Sequence, residues 1–425
     1  MRSLSFLASL AALAVLVSAA PGPADRYAGT RVVRVPGGNS TQVASIDQLI
    51  SRLGLDTWTS VTAPNHPVDI VVPPARISQF SEEISQLGLP VTVMHADLGA
   101  SILKESQASA SKDFSVSALV NSAWFNAYHS YADHTSFINE LATTYPKNSK
   151  IFTIGTSQQG RQITGINIFG SSGSGTKPGV IFFGTIHARE WITTMVTEYL
   201  AYNLLSDSAA QKYLDKYDFY IIPIVNPDGF VYTQTSDRMW RKSRSPAPSG
   251  STCIGTDLNR NFPYKWEAPG GASTSPCSET YKGRSAGDTP ETAAMARFLE
   301  SRGLSSIGAR LFIDFHSYGN YFLSPYGWTS SVPPNNAQIQ SVAKGFAAAV
   351  KAVHGISTTT GPSGPTLYAT TGTTVDHAFE VAKIPYSYTN ELRDTGTYGF
   401  VLPANQILPT GQDAYAGVKY LLDTI

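Results

Sequence analysis

The chain has 425 residues, of which 42% are hydrophobic and only 15% charged, and its 31 basic and 31 acidic side chains leave a formal net charge of zero. That balance fits a well-packed globular protein long enough for more than one folded unit, and it excludes a polybasic nucleic-acid binder or membrane-surface protein. The 35 glycines and 26 prolines imply many turns.

The N-terminus carries Arg2, the apolar run "LSFLASLAALAVLV" and the small residues "SAA" at Ser18 to Ala20. A basic start, a short apolar stretch and a small-residue cleavage site predict a secretory signal peptide over residues 1–20. The run is too short to span a membrane comfortably, so a secreted, extracellular protein with no membrane anchor is expected. From residue 21 to 112 the sequence predicts a small separate unit. "TRVVRV", "VDIVV" and "VTVM" read as strands, and "VASIDQLISRLG" and "ISQFSEEISQLG" as amphipathic helices that each stop at glycine, together a small open α/β sandwich. Asn39, in Asn39-Ser40-Thr41, is a glycosylation candidate. The polar stretch "KESQASASKD" then reads as a linker, and Lys104 and Lys112 within it offer an activating protease a place to cut, unless the linker is never cleaved.

From residue 113 onward apolar strands such as "GVIFFGTI", "FYIIPIV" and "ARLFIDF" alternate with helical patterns such as "PETAAMARFLESRG" and "NAQIQSVAKGFAAAVKAV". This alternation predicts an α/β sheet, mostly parallel and covered on both faces, whose ligands sit beyond the carboxyl ends of the strands. His187 and Glu190, in "GTIHAREWITT", lie at one such end, His316 at another, and Glu391 near a third. Two imidazoles and one carboxylate match a catalytic zinc site, one ion per chain, with a fourth position left for water. The other histidines (His66, His95, His129, His134, His354 and His377) are assigned structural roles. In an oxidising compartment the only cysteines, Cys253 and Cys277, favour a disulfide worth roughly 3–4 kcal/mol over two free thiols.

The motifs "HAREW", "MWRKSRS", "TDLNRNF", "FHSYG", "LYATTGTTVDH" and "ELRDTGTYGF" occur in that order. With them the chain from about Asp113 resembles the zinc carboxypeptidases of the A/B type, and the segment before it resembles their inhibitory prosegment. The resemblance implies a mixed eight-stranded sheet flanked by helices and a monomeric zymogen that hydrolyses the C-terminal peptide bond of peptides and proteins. It implies that His187, Glu190 and His316 bind zinc, that Glu391 is the general base, and that Arg241 stabilises the oxyanion. Asn259, Arg260 and Tyr368 would grip the substrate's terminal carboxylate, Arg189 and Arg238 would add positive potential, and Ser317 and Tyr318 would flank the substrate. Asp257 would fix the tautomer of His187, and Val375 would floor the pocket for the terminal side chain. Because Val375 is apolar, a hydrophobic or aromatic C-terminal residue is expected.

Some positions depart from the family pattern. His377 and Asn390 stand where aromatic residues are usual, and the stretch from Asp376 to Glu391 is about one residue long, which predicts a bulge. A shifted register there would turn Asp376 into the pocket and admit basic residues. An aminopeptidase or deacylase on the same fold would lack the Asn259, Arg260 and Tyr368 set, and an inactive binding protein would lack Glu391 or a zinc ligand.

Overall fold

The computed structural model describes residues 22–59, 66–110 and 122–425. The expected signal peptide and Lys112 lie outside the described residues. The N-terminal unit runs β1 (Arg31–Val35), α1 (Ser40–Leu53), β2 (Asp56–Thr57), β3 (Val68–Val72), α2 (Ile77–Ser85), β4 (Thr92–His95) and α3 (Leu98–Ala110). Its sheet has the order β2-β3-β1-β4, antiparallel throughout. Strand alternation gives this sheet two apolar faces. Val33 and Val35 pack with Ile46, Leu49, Phe80 and Ile84 of the two helices. Val32 points the other way and joins Trp58, Leu98 and Ile102 against Met239, Tyr318, Phe400 and Val401 of the second unit. Asn39 is exposed and caps α1, accepting from Gln42 N at 3.0 Å while the Gln42 side chain accepts from Asn39 N.

The expected linker from Lys104 is corrected by the structure, because residues up to Ala110 continue α3. The polar stretch has no apolar period of its own. It is helical because Leu98 and Ile102 are buried against the second unit and Glu105, one turn later, is buried in an ion pair with Arg238. Lys104 is exposed on this helix.

The second unit runs α4 (Tyr131–Thr144), β5 (Ser149–Thr156), β6 (Gln162–Ile168), β7 (Gly179–Gly184), α5 (Trp191–Ser206), α6 (Gln211–Leu214), β8 (Asp218–Ile222) and α7 (Pro227–Thr235). It continues with α8 (Pro290–Gly303), β9 (Ala309–Ser317), β10 (Tyr321–Ser324), α9 (Asn336–His354), β11 (Thr359–Pro362), α10 (Ser363–Thr366), α11 (Thr374–Glu380), β12 (Tyr386–Leu392) and α12 (Ile407–Thr424). The strands form a mixed eight-stranded sheet ordered β11-β10-β12-β9-β7-β8-β6-β5, parallel through its centre and antiparallel toward β5 and between β10 and β12. One face is covered by α4, α5, α9 and α12, the other by α8 and α11. Being covered twice, the central strands read as unbroken apolar runs.

Alternation on these strands aims the polar residues. On β9, Leu311, Ile313 and Phe315 enter the core under α5, α9 and α12, while Phe312 enters the opposite core. Asp314 and His316 therefore point to the Phe312 side. β12 pairs with β9 in parallel, with Thr389 opposite Asp314 and Glu391 opposite His316, so the same face of two adjacent strands collects all four. This register runs unbroken from Tyr386 to Leu392, which corrects the expected bulge. Between α11 and β12 the chain instead turns through Lys383 in the left-handed region, at φ 58°. A loop outside the ladder absorbs an extra residue without unpairing strand hydrogen bonds.

Candidate active site

The strand β7 ends in a tight turn. A side chain on Gly184 would press within 2.7 Å of the Pro223 carbonyl, and Thr185 takes a left-handed φ of 57°. Such backbone strain, on the order of 1–3 kcal/mol, persists only where the surroundings enforce it. Here Thr185 N donates to Thr193 Oγ1 at 2.8 Å, which ties the turn back onto α5. The turn delivers His187, and Glu190 sits at the N-terminal end of α5, where the helix dipole favours an anion.

His187 Nδ1 lies 2.9 Å from Glu190 Oε1 and 3.1 Å from His316 Nδ1, and His316 Nδ1 lies 3.3 Å from Glu190 Oε2. All three side chains are buried. Burial works to raise the Glu190 carboxyl, but the two imidazoles override it and hold the group well below its usual range. The outer ring nitrogens are held by carboxylates: His187 Nε2 lies 3.2 Å from Asp257 Oδ1, and His316 Nε2 3.0 Å from Asp314 Oδ2. Two facing Nδ1 atoms and a carboxylate offer a cation three ligand atoms, and the backing carboxylates leave each Nδ1 as the free donor. Their ligand atoms lie within 4.8 Å of one another, and this donor set suits zinc.

A long loop from 236 to 289 lies beside this cluster, with a single short 3-10 turn at Leu258–Arg260 and the Cys253–Cys277 disulfide across it. Asp257 organises it. Oδ1 accepts from Asn259 N at 3.0 Å, and Oδ2 accepts from Arg241 Nη2 at 2.9 Å. The Arg241 carbonyl also accepts from Ala188 N at 3.0 Å, so the arginine is tied to the turn that carries His187.

These groups open onto one pocket of about 350 Å³. His187, Glu190, His316, Arg241, Asn259, Arg260, Ser317, Tyr318, Tyr368, Val375 and Glu391 all line it. Arg189 and Arg238 do not. Arg189 is buried with its guanidinium 4.1 Å from the Phe400 ring centre, and Arg238 is spent on Glu105, on the Arg189 and Phe400 carbonyls and on the Trp191 ring. The expected positive potential from Arg238 is thus corrected for the uncut chain: the N-terminal unit neutralises it.

That unit also enters the pocket. Arg34, Trp58, Thr59, His66 and Pro67 line its mouth, so His66 faces the site and not a core. Arg34 makes two 2.7 Å bonds to Asp69, and Asp69 accepts from the Tyr318 hydroxyl. Asp69 and Glu105 escaped the sequence reading because their partners lie far along the chain. Asp314 escaped it too, although a charged residue inside "LFIDF", two positions before His316, was a readable signal of a shared strand face. Asp376, the residue that a shifted register would have exposed, does not line the pocket. Its carboxylate accepts from Gly327 N at 3.0 Å, and burial pushes it up to about 7.

Residues 134–417 match the family model described as zinc carboxypeptidase, and residues 33–105 match the carboxypeptidase activation peptide. The chain belongs to the zinc carboxypeptidase family. It is 46% identical to a metallocarboxypeptidase A-like protein of Trichophyton verrucosum over all of both chains, and 32% identical to mouse carboxypeptidase A4 over 94% of each. Its fold is similar to a crystal structure of thrombin activatable fibrinolysis inhibitor, with a TM-score of 0.84 at 29% identity over 92% of this chain and 98% of that one. It is also similar to carboxypeptidase A of Helicoverpa armigera, at 0.82 and 29% over 93% and 97%. The protein is therefore a metallocarboxypeptidase that uses zinc and carries an activation peptide ahead of its catalytic unit. No helix among the described residues is long and apolar enough to cross a membrane.

Proposed function

We propose that this metallocarboxypeptidase is secreted as a monomeric zymogen and, once cut, removes hydrophobic and aromatic residues from peptide C-termini. The observation that carries the reading is the pocket itself, which His187, Glu190 and His316 line together with Glu391, with Asn259, Arg260 and Tyr368, and with the apolar Val375. Arg260, with Asn259 and Tyr368, grips the terminal carboxylate, because a planar guanidinium meets a carboxylate bidentately. This fixes the chain end and sets the last peptide bond beside the metal ligands. Zinc, when bound by His187, Glu190 and His316, supplies Lewis-acid polarisation and lowers the pKa of water toward about 7. Glu391 takes the proton of the attacking water and passes it to the leaving amine nitrogen. Arg241 donates to the carbonyl oxygen as negative charge develops there, a role whose loss typically costs roughly 3–4 kcal/mol. Ser317 and Tyr318 flank the substrate chain.

Dialysis of the activated protein against a chelator should abolish cleavage of a blocked dipeptide ending in free phenylalanine, and added zinc should restore it. Full activity in demonstrably metal-free protein would overturn the reading.

Latency is assigned to residues 21–112. The support is the seating of Trp58 and Pro67 in the pocket mouth and the engagement of Tyr318 by Asp69. Cutting beyond α3, at Lys112 by a protease that takes basic residues, should raise activity by an order of magnitude or more, since a substrate binds only the unblocked fraction. Equal rates before and after a cut mapped to this segment would remove the inhibitory role.

A further inference from the structure

Asp314 is fully buried on β9, two residues before His316 and on the same face. Carboxylates are rarely left in such a place unless paired. Its Oδ2 accepts from His316 Nε2 at 3.0 Å and from the hydroxyl of Thr374. With Nδ1 of His316 turned toward His187 and Glu190, Nε2 is the nitrogen that keeps its proton. A carboxylate on that N–H fixes the ring's rotation and makes Nδ1 a better donor.

Thr374 is the first residue of α11, between Thr373 and Val375, which both line the pocket. Its single hydroxyl proton goes to Asp314. Its backbone N–H donates to Asn259 Oδ1 at 2.9 Å, and Asn259 Nδ2 lies 3.3 Å from His316 Nε2. That last contact is donor against donor once Nε2 keeps its proton, so His316, Asp314, Thr374 and Asn259 form an open buried chain. It runs from a metal ligand, through the start of the pocket floor, to the carboxylate grip.

We propose that Asp314 and Thr374 are positioning residues that lock His316 to the pocket floor, so that zinc retention and recognition of the substrate's end are coupled through one chain of hydrogen bonds. The recognition half rests on the roles proposed above for Asn259 and Val375, whereas the metal half does not.

The metal half is read without activity. Full-length protein is stripped of metal and titrated with zinc against a chromophoric chelator, with circular dichroism to check folding. Asp314→Asn should weaken zinc binding about 10–100-fold, as for other carboxylates behind a metal-bound histidine. Thr374→Val, which keeps the shape and loses the hydroxyl, should weaken it by a smaller factor, and Thr374→Ser should stay close to the parent. If Asp314→Asn fails to fold, the Thr374→Val and Thr374→Ser pair decides alone. Parent-like zinc affinity in Asp314→Asn or in Thr374→Val, or equal losses in Thr374→Val and Thr374→Ser, overturns the proposal. For the recognition half, Thr374→Val is activated by proteolysis and assayed at saturating zinc. KM for a substrate ending in phenylalanine should rise severalfold in Thr374→Val and not in Thr374→Ser. An unchanged KM breaks the coupling.

Discussion

Replacing Glu391 by glutamine should lower turnover at least about 100-fold, the usual scale of a lost general base, while zinc stays bound. Glu391 is half-buried on β12, opposite His316 on β9, and lines the same pocket as the metal ligands. Glutamine keeps its volume and its place in the ladder but cannot take a proton. The pH dependence follows from the same site. Burial pushes the Glu391 carboxyl up to about 8, against the opposing pull of His316. A divalent cation beside it adds a stronger pull downward. A base works only when deprotonated, so kcat/KM should fall as pH drops through the Glu391 pKa, with a midpoint below 8 when zinc is bound. Glutamine should remove that acid limb. Near-normal turnover in Glu391→Gln would point to another base, and an acid limb that survives unchanged would assign it to another group.

Substrates ending in phenylalanine should be cleaved about a thousandfold or more faster, by kcat/KM, than matched substrates ending in arginine. The floor residue Val375 is buried, and Thr370, Thr373, Thr389 and Leu323 around it carry no charge. Burying a phenylalanine ring gains roughly 2–3 kcal/mol. A cationic terminal side chain leaves water without a counter-charge, at a cost of several kcal/mol. Each 1.4 kcal/mol is about tenfold, so the two terms together exceed three decades. The nearby carboxylates supply no free counter-charge. Asp376 is turned onto the Gly327 amide, and Asp314 is held by Thr374 and His316. Val375→Asp should gain arginine cleavage by placing a carboxylate on the floor. A parent enzyme that prefers arginine would sink the assignment.

The elements around the site were legible because their signals are local. Apolar runs over residues 179–184 and 309–315 announced the central strands, and helical periods ending at Gly54 and Gly303 announced α1 and α8. The spacing of His187 and Glu190 announced the turn at the end of β7. His187, Glu190, Arg241, Asn259, Arg260, His316, Tyr368 and Glu391 were named in advance as site residues because each stood in a recognisable motif, whereas Arg34, Trp58, Thr59, His66 and Pro67 at the mouth were not. The bulge expected between Asp376 and Glu391 is absent from the ladder, because a length excess does not say where the chain will absorb it. Keeping the β9–β12 ladder intact and turning through Lys383 instead is a choice made by inter-strand hydrogen bonds.

By itself the sequence determined the strand and helix periods, the order of the motifs, and the residue types that can bind a metal and a carboxylate, since these depend on steric and chemical properties within a few residues. Only the tertiary structure decided where the long cationic side chains end. Arg238 sits beside Arg241 in the chain, yet one is buried against Glu105, 133 positions away, and the other faces the pocket beside Asp257. The same holds for Asp314, whose partners lie on α11, and for Asp69, which meets Tyr318 across the two units. A buried charge goes where a partner offsets its desolvation, and that partner is brought near only by sheet register and the docking of one unit on the other.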